Sequence, residues 1–302
     1  MRSLSTLLVA LACVLTAAAC AGGGEGDGRP VVVATTTQAA DLVRHVAGDR
    51  AEVKGILAAN SDPHDYEVRP GDVKALVDPL LVVRSGGDVD SWLDGAIDSA
   101  GTDAPVLTLI DHVGPEGDDP HWWQDPRRAE RAVAVIGAAL AKADPAGAAG
   151  YRQRAGAYEK DLRTLDASVA RCIGEVPAAQ RKLVTTHDAL GYYARRYGLT
   201  VVGTVIPALT TQAQASSGDL AKLVDTIRRE KVKAIFAESS VNAKVEDAVA
   251  QETGARVGRA LWADSLGPAG SHGATYADSI RANTAAIVEG LSGGAKSCTL
   301  PR

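Results

Sequence analysis

Apolar residues along this chain fall into short β-rich runs separated by amphipathic stretches of helical period. Val31-Val32-Val33-Ala34-Thr35 reads as a first strand. Thr37 is placed to cap the helix that follows, whose apolar residues Ala40, Val43 and Val46-Ala47 recur at helical spacing before Gly48. Ala51 to Leu57 is the next strand, and Pro70-Gly71-Asp72 opens a helix through Leu76-Val77. Leu80 to Val83 and Val106 to Ile110 read as two more strands. Asp125-Pro126 is a cap followed by Pro at the first helical position, ahead of a stripe at Ala129, Ala132, Val133, Ile136, Ala139 and Leu140.

The middle of the chain breaks this rhythm. Tyr151 to about Arg171 is long, charged and helical, with Tyr158, Leu162, Leu165 and Val169 on one face. The strand–helix alternation then restarts. Strands are predicted at Lys182–Thr186, Leu199–Val205, Val232–Ala237 and Ala255–Leu261, with helices between them and a last helix from Ile280 to Leu291. Two sets of four strands predict an α/β fold of two lobes, each with a four-stranded, mostly parallel sheet flanked by helices. One long connecting helix joins them. The expected division is an N-terminal lobe over 31–145, the connecting helix over 146–176 and a C-terminal lobe over 177–302.

The N-terminus is a different kind of segment. Arg2 precedes the apolar run Leu7 to Leu15, and Thr16-Ala17-Ala18-Ala19 are small. This predicts a secretory signal over 1–19, with a run too short to span a bilayer comfortably. Ala17-Ala18-Ala19-Cys20 resembles a bacterial lipobox, in which the Cys becomes the first mature residue and carries lipid. Residues 20–30, rich in Gly, read as a flexible tether. Lipid on Cys20 is expected to hold the protein at the outer face of the bacterial cell membrane.

Composition narrows the class. The 302 residues are 46% hydrophobic and 23% charged, a globular balance. A net charge of −5, with no Lys/Arg block, argues against nucleic acid as a partner. Losing Arg2 with the signal makes the mature body one unit more negative, so the lipid has to do the anchoring. Of four Cys, Cys13 leaves with the signal and Cys20 is the lipid site. In an exported protein the remaining Cys172 and Cys298 most simply pair, two free thiols being the alternative.

The candidate chemistry sits in loops after strands. His64 follows the strand ending near Leu57, His121 lies beyond the strand ending at Ile110, His187 directly follows Thr186, and Asp264 follows the eighth strand. Open α/β sheets bind ligands beyond the carboxyl ends of their strands. Three imidazoles and a carboxylate, two donors from each lobe, match a tetrahedral zinc shell. His45, His112 and His272 read as surface or loop residues. Asp125 reads as a helix cap, Trp122 and Trp123 as packing around the site, and Tyr192-Tyr193 as core. Glu67 and Asp188 are candidates to support the ligands from behind. Asp41 and Arg44 read as surface charges available to a partner.

Residues 31–292 resemble the solute-binding lipoproteins of zinc and manganese ABC importers, the cluster A-I family. The resemblance is carried by Asp62-Pro63-His64-Asp65-Tyr66-Glu67, by Asp119-Pro120-His121-Trp122-Trp123-Gln124-Asp125-Pro126, by Thr186-His187-Asp188-Ala189-Leu190-Gly191-Tyr192-Tyr193, by Phe236-Ala237-Glu238 and by Ala263-Asp264-Ser265-Leu266-Gly267. It implies two α/β lobes joined by a rigid helix, and metal held at His64, His121, His187 and Asp264. The third position is often Glu in manganese-type members, so His187 favours Zn²⁺ over Mn²⁺, as imidazole chemistry does. The implied function is capture of zinc outside the cytoplasm and delivery to an ABC permease, the receptor acting as a monomer. One departure stands out: the stretch Gly114 to Asp119 is short and holds no His, where many zinc-type relatives carry a long His-rich loop. A role in cell adhesion beside metal capture leaves no readable mark. The alternatives are a manganese receptor of the same family and a zinc-dependent hydrolase. Against the hydrolase, the sequence has no HExxH helix, no GxSxG elbow and no clear carboxylate base.

Overall fold

The structure is a computed structural model and describes residues 28–301. The predicted signal, the lipobox Cys20 and most of the tether lie outside the described residues. In the first lobe β1 (Val31–Ala34), β2 (Glu52–Gly55), β3 (Leu81–Arg84) and β4 (Val106–Thr108) form a parallel sheet in the order β2-β1-β3-β4. The central strands are near-continuous apolar runs because both faces are covered. Val32, Ala34, Leu81 and Val83 face one packed cluster and Val33 and Val82 face another.

Helices α1 (Thr37–Ala47), α2 (Pro70–Ala75), α3 (Leu93–Ala100), α4 (Ile110–Val113) and α5 (Pro126–Ala143) complete this lobe. The first cluster takes Leu42, Val43 and Val46 from α1 and Val133, Ile136 and Leu140 from α5. The second takes Leu76, just past α2, with Leu93 and Ala96 of α3. Helix α6 (Ala148–Gly174) has 27 residues, about 40 Å at 1.5 Å per residue. It buries Tyr151, Tyr158, Leu162, Leu165 and Val169 in the first cluster.

The second lobe holds two parallel pairs. β5 (Lys182–Thr185) pairs with β6 (Thr200–Thr204), and β7 (Ala234–Ile235) pairs with β8 (Arg256–Val257). A parallel bridge from Thr185 to Phe236 joins the pairs side by side, and a second from Glu238 to Leu261 extends them. Helices α7 (Gly191–Tyr197), α8 (Ser217–Glu230), α9 (Lys244–Thr253) and α10 (Tyr276–Ser292) surround them. A disulfide joins Cys172, near the end of α6, to Cys298, past α10, with their Cα atoms 5.8 Å apart. One buried cluster runs from Val32 and Val83 through Leu162 and Leu165 to Tyr193, Phe236 and Ile287, so both lobes share a core. Among the described residues no helix is long and apolar enough to cross a membrane.

Several local expectations shift. Thr36, not Thr37, caps α1, its side chain accepting from Ala39 N at 3.2 Å. Thr37 instead reaches the second lobe, its Oγ1 accepting from Leu266 N at 2.8 Å. The apolar run Val106–Ile110 is a strand only to Thr108, because Ile110 opens α4 and the apolar content serves the core in either state. The eighth strand is similarly short. Asp41 is not a surface charge: it is 6% exposed and accepts from Tyr276 N at 2.9 Å, tying α1 to α10.

Candidate metal centre

The site grows out of strand ends that are themselves pinned. Asp90, fully buried, accepts from Thr35 Oγ1 at 2.6 Å and from Ser85 N at 2.7 Å, holding the carboxyl ends of β1 and β3 together. Gly86 and Gly87 follow β3 with φ of 89° and 79°. Both positions need glycine twice over, since a Cβ at Gly86 would lie 2.4 Å from Ile110 and one at Gly87 2.7 Å from Pro120. The close approach of Pro120 brings the His121 segment over the sheet. Trp122 Nε1 then donates to Ser85 Oγ at 3.1 Å.

His121 begins the 3-10 turn Trp122–Gln124. Asp119 Oδ1 accepts from His121 N at 3.0 Å and faces His121 Nδ1 at 2.8 Å. His187 follows β5, and its Nδ1 lies 2.5 Å from Glu238 Oε1. In both rings a carboxylate on Nδ1 fixes the orientation and leaves Nε2 turned inward, the arrangement that makes imidazole a strong metal donor. His64 sits in the turn Pro63–Asp65, capped by Asp62, whose Oδ1 accepts from His64 N at 3.0 Å. Its ring is less constrained: the nearest carboxylate to Nδ1 is Asp88, at 3.9 Å. Asp264 enters from the segment after β8, beside Ala263, whose carbonyl accepts from Trp123 Nε1 at 2.9 Å and Gln124 Nε2 at 2.6 Å.

Four side chains converge. Asp264 Oδ2 lies 3.4 Å from His64 Nε2 and 3.2 Å from His187 Nε2, and Asp264 Oδ1 lies 3.4 Å from His121 Nε2. His121 Nε2 and His187 Nε2 are 3.2 Å apart. One donor atom from each of the four lies within 4.8 Å of all the others, a set able to hold a single metal ion. Donors about 2.1 Å from a tetrahedral zinc ion stand about 3.4 Å from one another, close to the 3.2–3.4 Å of the four contacts above. The side chains of His121, His187 and Asp264 are fully buried and that of His64 is 2% exposed. Among the described residues neither Asp264 oxygen nor His64 Nε2 has a hydrogen-bond partner, a costly state for buried polar atoms that a cation would relieve.

The electrostatics are those of a cation trap. Burial opposes charge on His187, but Asp264 and then Glu238 outweigh it and the imidazole is pushed up to about 11. His64 is raised in the same way, burial opposing and Asp264 prevailing. Burial acts to raise Asp264, yet His187 and His121 hold it well below the usual carboxylate range. Glu238 is raised, by burial first, with His187 pulling the other way. Without a metal, a proton on His187 supplies positive charge that Asp264 and Glu238 demand.

The family model for zinc-uptake complex component A, periplasmic (ZnuA), matches residues 32–290. The chain belongs to the ZnuA family. All four converging residues lie inside the ZnuA match. The chain is 34% identical over 280 residues to the zinc-binding protein TroA of Treponema pallidum (strain Nichols), covering 88% of this chain and 90% of that one. The solved structure of periplasmic zinc-binding TroA matches with a TM-score of 0.81 at 30% identity, covering 87% of this chain and 99% of that one. Manganese-binding lipoprotein MntA of Bacillus subtilis (strain 168) is 31% identical over 283 residues, covering 89% of this chain and 92% of that one. Iron-binding protein YfeA of Yersinia pestis is 30% identical over 295 residues, covering 94% of each. The α/β fold of two lobes with a long helix is thus that of ZnuA-family proteins.

The remaining sequence candidates separate cleanly. His45, His112 and His272 are exposed and lie outside the cluster. His45 stacks on Tyr158 with ring centres 4.0 Å apart. Asp125 caps α5, accepting from Arg127 N at 2.9 Å. Trp122, Trp123, Tyr192 and Tyr193 are buried. The carboxylates behind the ligands are Asp119 and Glu238, in place of Glu67, which is exposed, and Asp188. Asp119 was findable, since it lies two residues before His121 and such spacing lets one carboxylate reach both N–H and ring. Glu238 comes from a different strand, and only the pairing of Phe236 with Thr185 brings it to His187.

Proposed function

We propose that this chain is an exported receptor that captures zinc and delivers it to an ABC permease. The observation that carries the reading is the convergence of three Nε2 atoms and one carboxylate at 3.2–3.4 Å around a buried point shared by two lobes. Three imidazoles favour zinc over manganese, and TroA, similar over most of its length, is named as zinc-binding. The zinc is cargo. The chain is a binding protein and not an enzyme: Asp264 fills the fourth position that a catalytic zinc keeps for water. We assign the metal ligands as His64, His121, His187 and Asp264. The chain is read as an export signal over 1–19, a tether over 20–30 lipidated at Cys20, an N-terminal lobe over 31–145, a connecting helix over 146–176 and a C-terminal lobe over 177–302. On this reading the monomer stands at the outer face of the membrane, beside its permease.

Calorimetric titration tests the assignment. One zinc per chain is expected, with most of the affinity lost in His64→Ala, His121→Ala and His187→Ala. Competition between zinc and manganese at equal concentration is expected to leave zinc bound. Unchanged zinc affinity in the three variants would sink the assignment, and manganese outcompeting zinc would sink the choice of metal.

A further inference from the structure

Three of the four converging side chains have no freedom to leave. His121 and His187 are fully buried and each is gripped at Nδ1 by a carboxylate. Asp264 is fully buried and flanked by Ala263, whose carbonyl takes two hydrogen bonds from the opposite lobe. His64 differs, because among the described residues its Nδ1 meets no carboxylate closer than Asp88 at 3.9 Å, and its place depends on the turn that carries it. That turn is set by Asp62, whose two oxygens face in different directions. Oδ1 accepts from His64 N within the first lobe, and Oδ2 accepts from Thr211 Oγ1 at 2.6 Å. Thr211 belongs to the second lobe, in the half-buried connection between β6 and α8. One carboxylate therefore couples the backbone under His64 to the far side of the cleft.

We infer that Thr211 is a latch for the metal, a positioning residue that acts through Asp62 to hold the His64 turn closed and so sets how fast the ion leaves. The inference rests on the proposed metal reading and adds the exit route to it. Metal departs when the His64 turn swings out, and the turn is free to swing only when the Thr211–Asp62 hydrogen bond is broken. Nearby, Asn60 adds a second restraint, donating from N to Leu266 O at 2.8 Å and from Nδ2 to Ser239 O at 3.2 Å. Those bonds secure the base of the loop. Only the Thr211 bond reaches the residue that caps the ligand's own turn.

The test is stopped-flow release of zinc into excess chelator from the zinc-loaded chain, comparing wild type, Thr211→Val and Thr211→Ser. Thr211→Val keeps the branched shape and deletes the hydroxyl. It is expected to speed release about tenfold, the scale of one lost hydrogen bond to a carboxylate. The association rate should change far less. Thr211→Ser restores the hydroxyl and is expected to restore slow release, which a packing role for the methyl group would not produce. Equal release rates in wild type and Thr211→Val, or fast release in Thr211→Ser, overturn the latch while leaving the metal site standing. A wild-type chain that retains no stoichiometric zinc overturns both.

Discussion

Glu238, buried behind the site, places Oε1 2.5 Å from Nδ1 of His187, so the outward nitrogen of that ring is committed to a carboxylate. The commitment fixes the tautomer that offers Nε2 to a cation, and the negative charge behind the ring strengthens the donor. Glu238→Gln keeps a carbonyl acceptor in nearly the same place and deletes the charge. Zinc affinity is expected to fall about 10-fold to 100-fold with stoichiometry unchanged, measured by competition with a chelator of known affinity. Wild-type affinity in this variant would show that the carboxylate does not tune the ligand.

Proton release on binding has a definite sign. In the metal-free protein His187 is pushed up to about 11 and so carries a proton at neutral pH, while Asp264 is held below the usual range and stays ionised. A metal ligand must be unprotonated at the donating atom, so zinc has to expel that proton. Affinity should therefore rise with pH across the neutral range, with at least about one proton released per zinc at pH 7. For the metal-free fold, a raised imidazole adds stability that is complete below its unfolded value of about 6.5 and lost as pH climbs through about 11. The depressed Asp264 adds stability above about 3.8 that is lost as pH falls toward its folded value. Calorimetry in two buffers of different ionisation enthalpy counts the protons, and identical heats in both buffers would contradict this account.

How much of this was legible in the chain depended on whether the signal was local. Capping at Asp125-Pro126, the stripe of α5 and the long face of α6 are short-range patterns, and they survive folding. The four candidate ligands were legible because each follows a strand, and strand ends of parallel sheets gather in one place. What the chain could not display were pairings made by tertiary contact. Asp41 looks like any helix-surface charge until α10 arrives to donate Tyr276 N. Thr36 and Thr37 are equivalent in sequence, and which one caps was decided by Leu266 claiming the hydroxyl of the other. The short β7 and β8 pair over only two residues each, and the further bridge from Glu238 to Leu261 is a tertiary contact that the apolar runs do not display.

The disulfide between Cys172 and Cys298 closes a loop with a sequence separation of 126 residues. It pins the C-terminal tail, including the buried Leu300, against the end of α6. Cross-linking so long a segment restricts the unfolded chain, and removing such a bond costs about 2–5 kcal/mol. Cys298→Ser is therefore expected to lower the unfolding free energy by that scale, read as a lower denaturant midpoint. Zinc stoichiometry should stay at one, because none of the four ligands touches the bridge. Identical midpoints for oxidised wild type and the variant would remove the bond from the stability account.

Zinc binding should leave the two lobes where they are. A clamshell that opens widely needs separate cores and few bonds across its cleft. Here one buried cluster takes residues from both lobes and from the long α6. The cleft is also stitched at its edges: Leu266 N donates to Thr37, Asn60 N to Leu266 O, Trp123 Nε1 to Ala263 O, and Tyr276 Oη to Trp123 O at 2.7 Å. Separating the lobes would break these together and expose shared core, whereas moving the His64 turn breaks only its own few contacts. The radius of gyration from small-angle scattering is thus expected to differ by less than about 1 Å between metal-free and zinc-loaded protein. Hydrogen exchange should slow on zinc binding chiefly at residues 60–66 and around Thr211, and a compaction of several ångströms with protection spread over both lobes would point instead to wholesale closure.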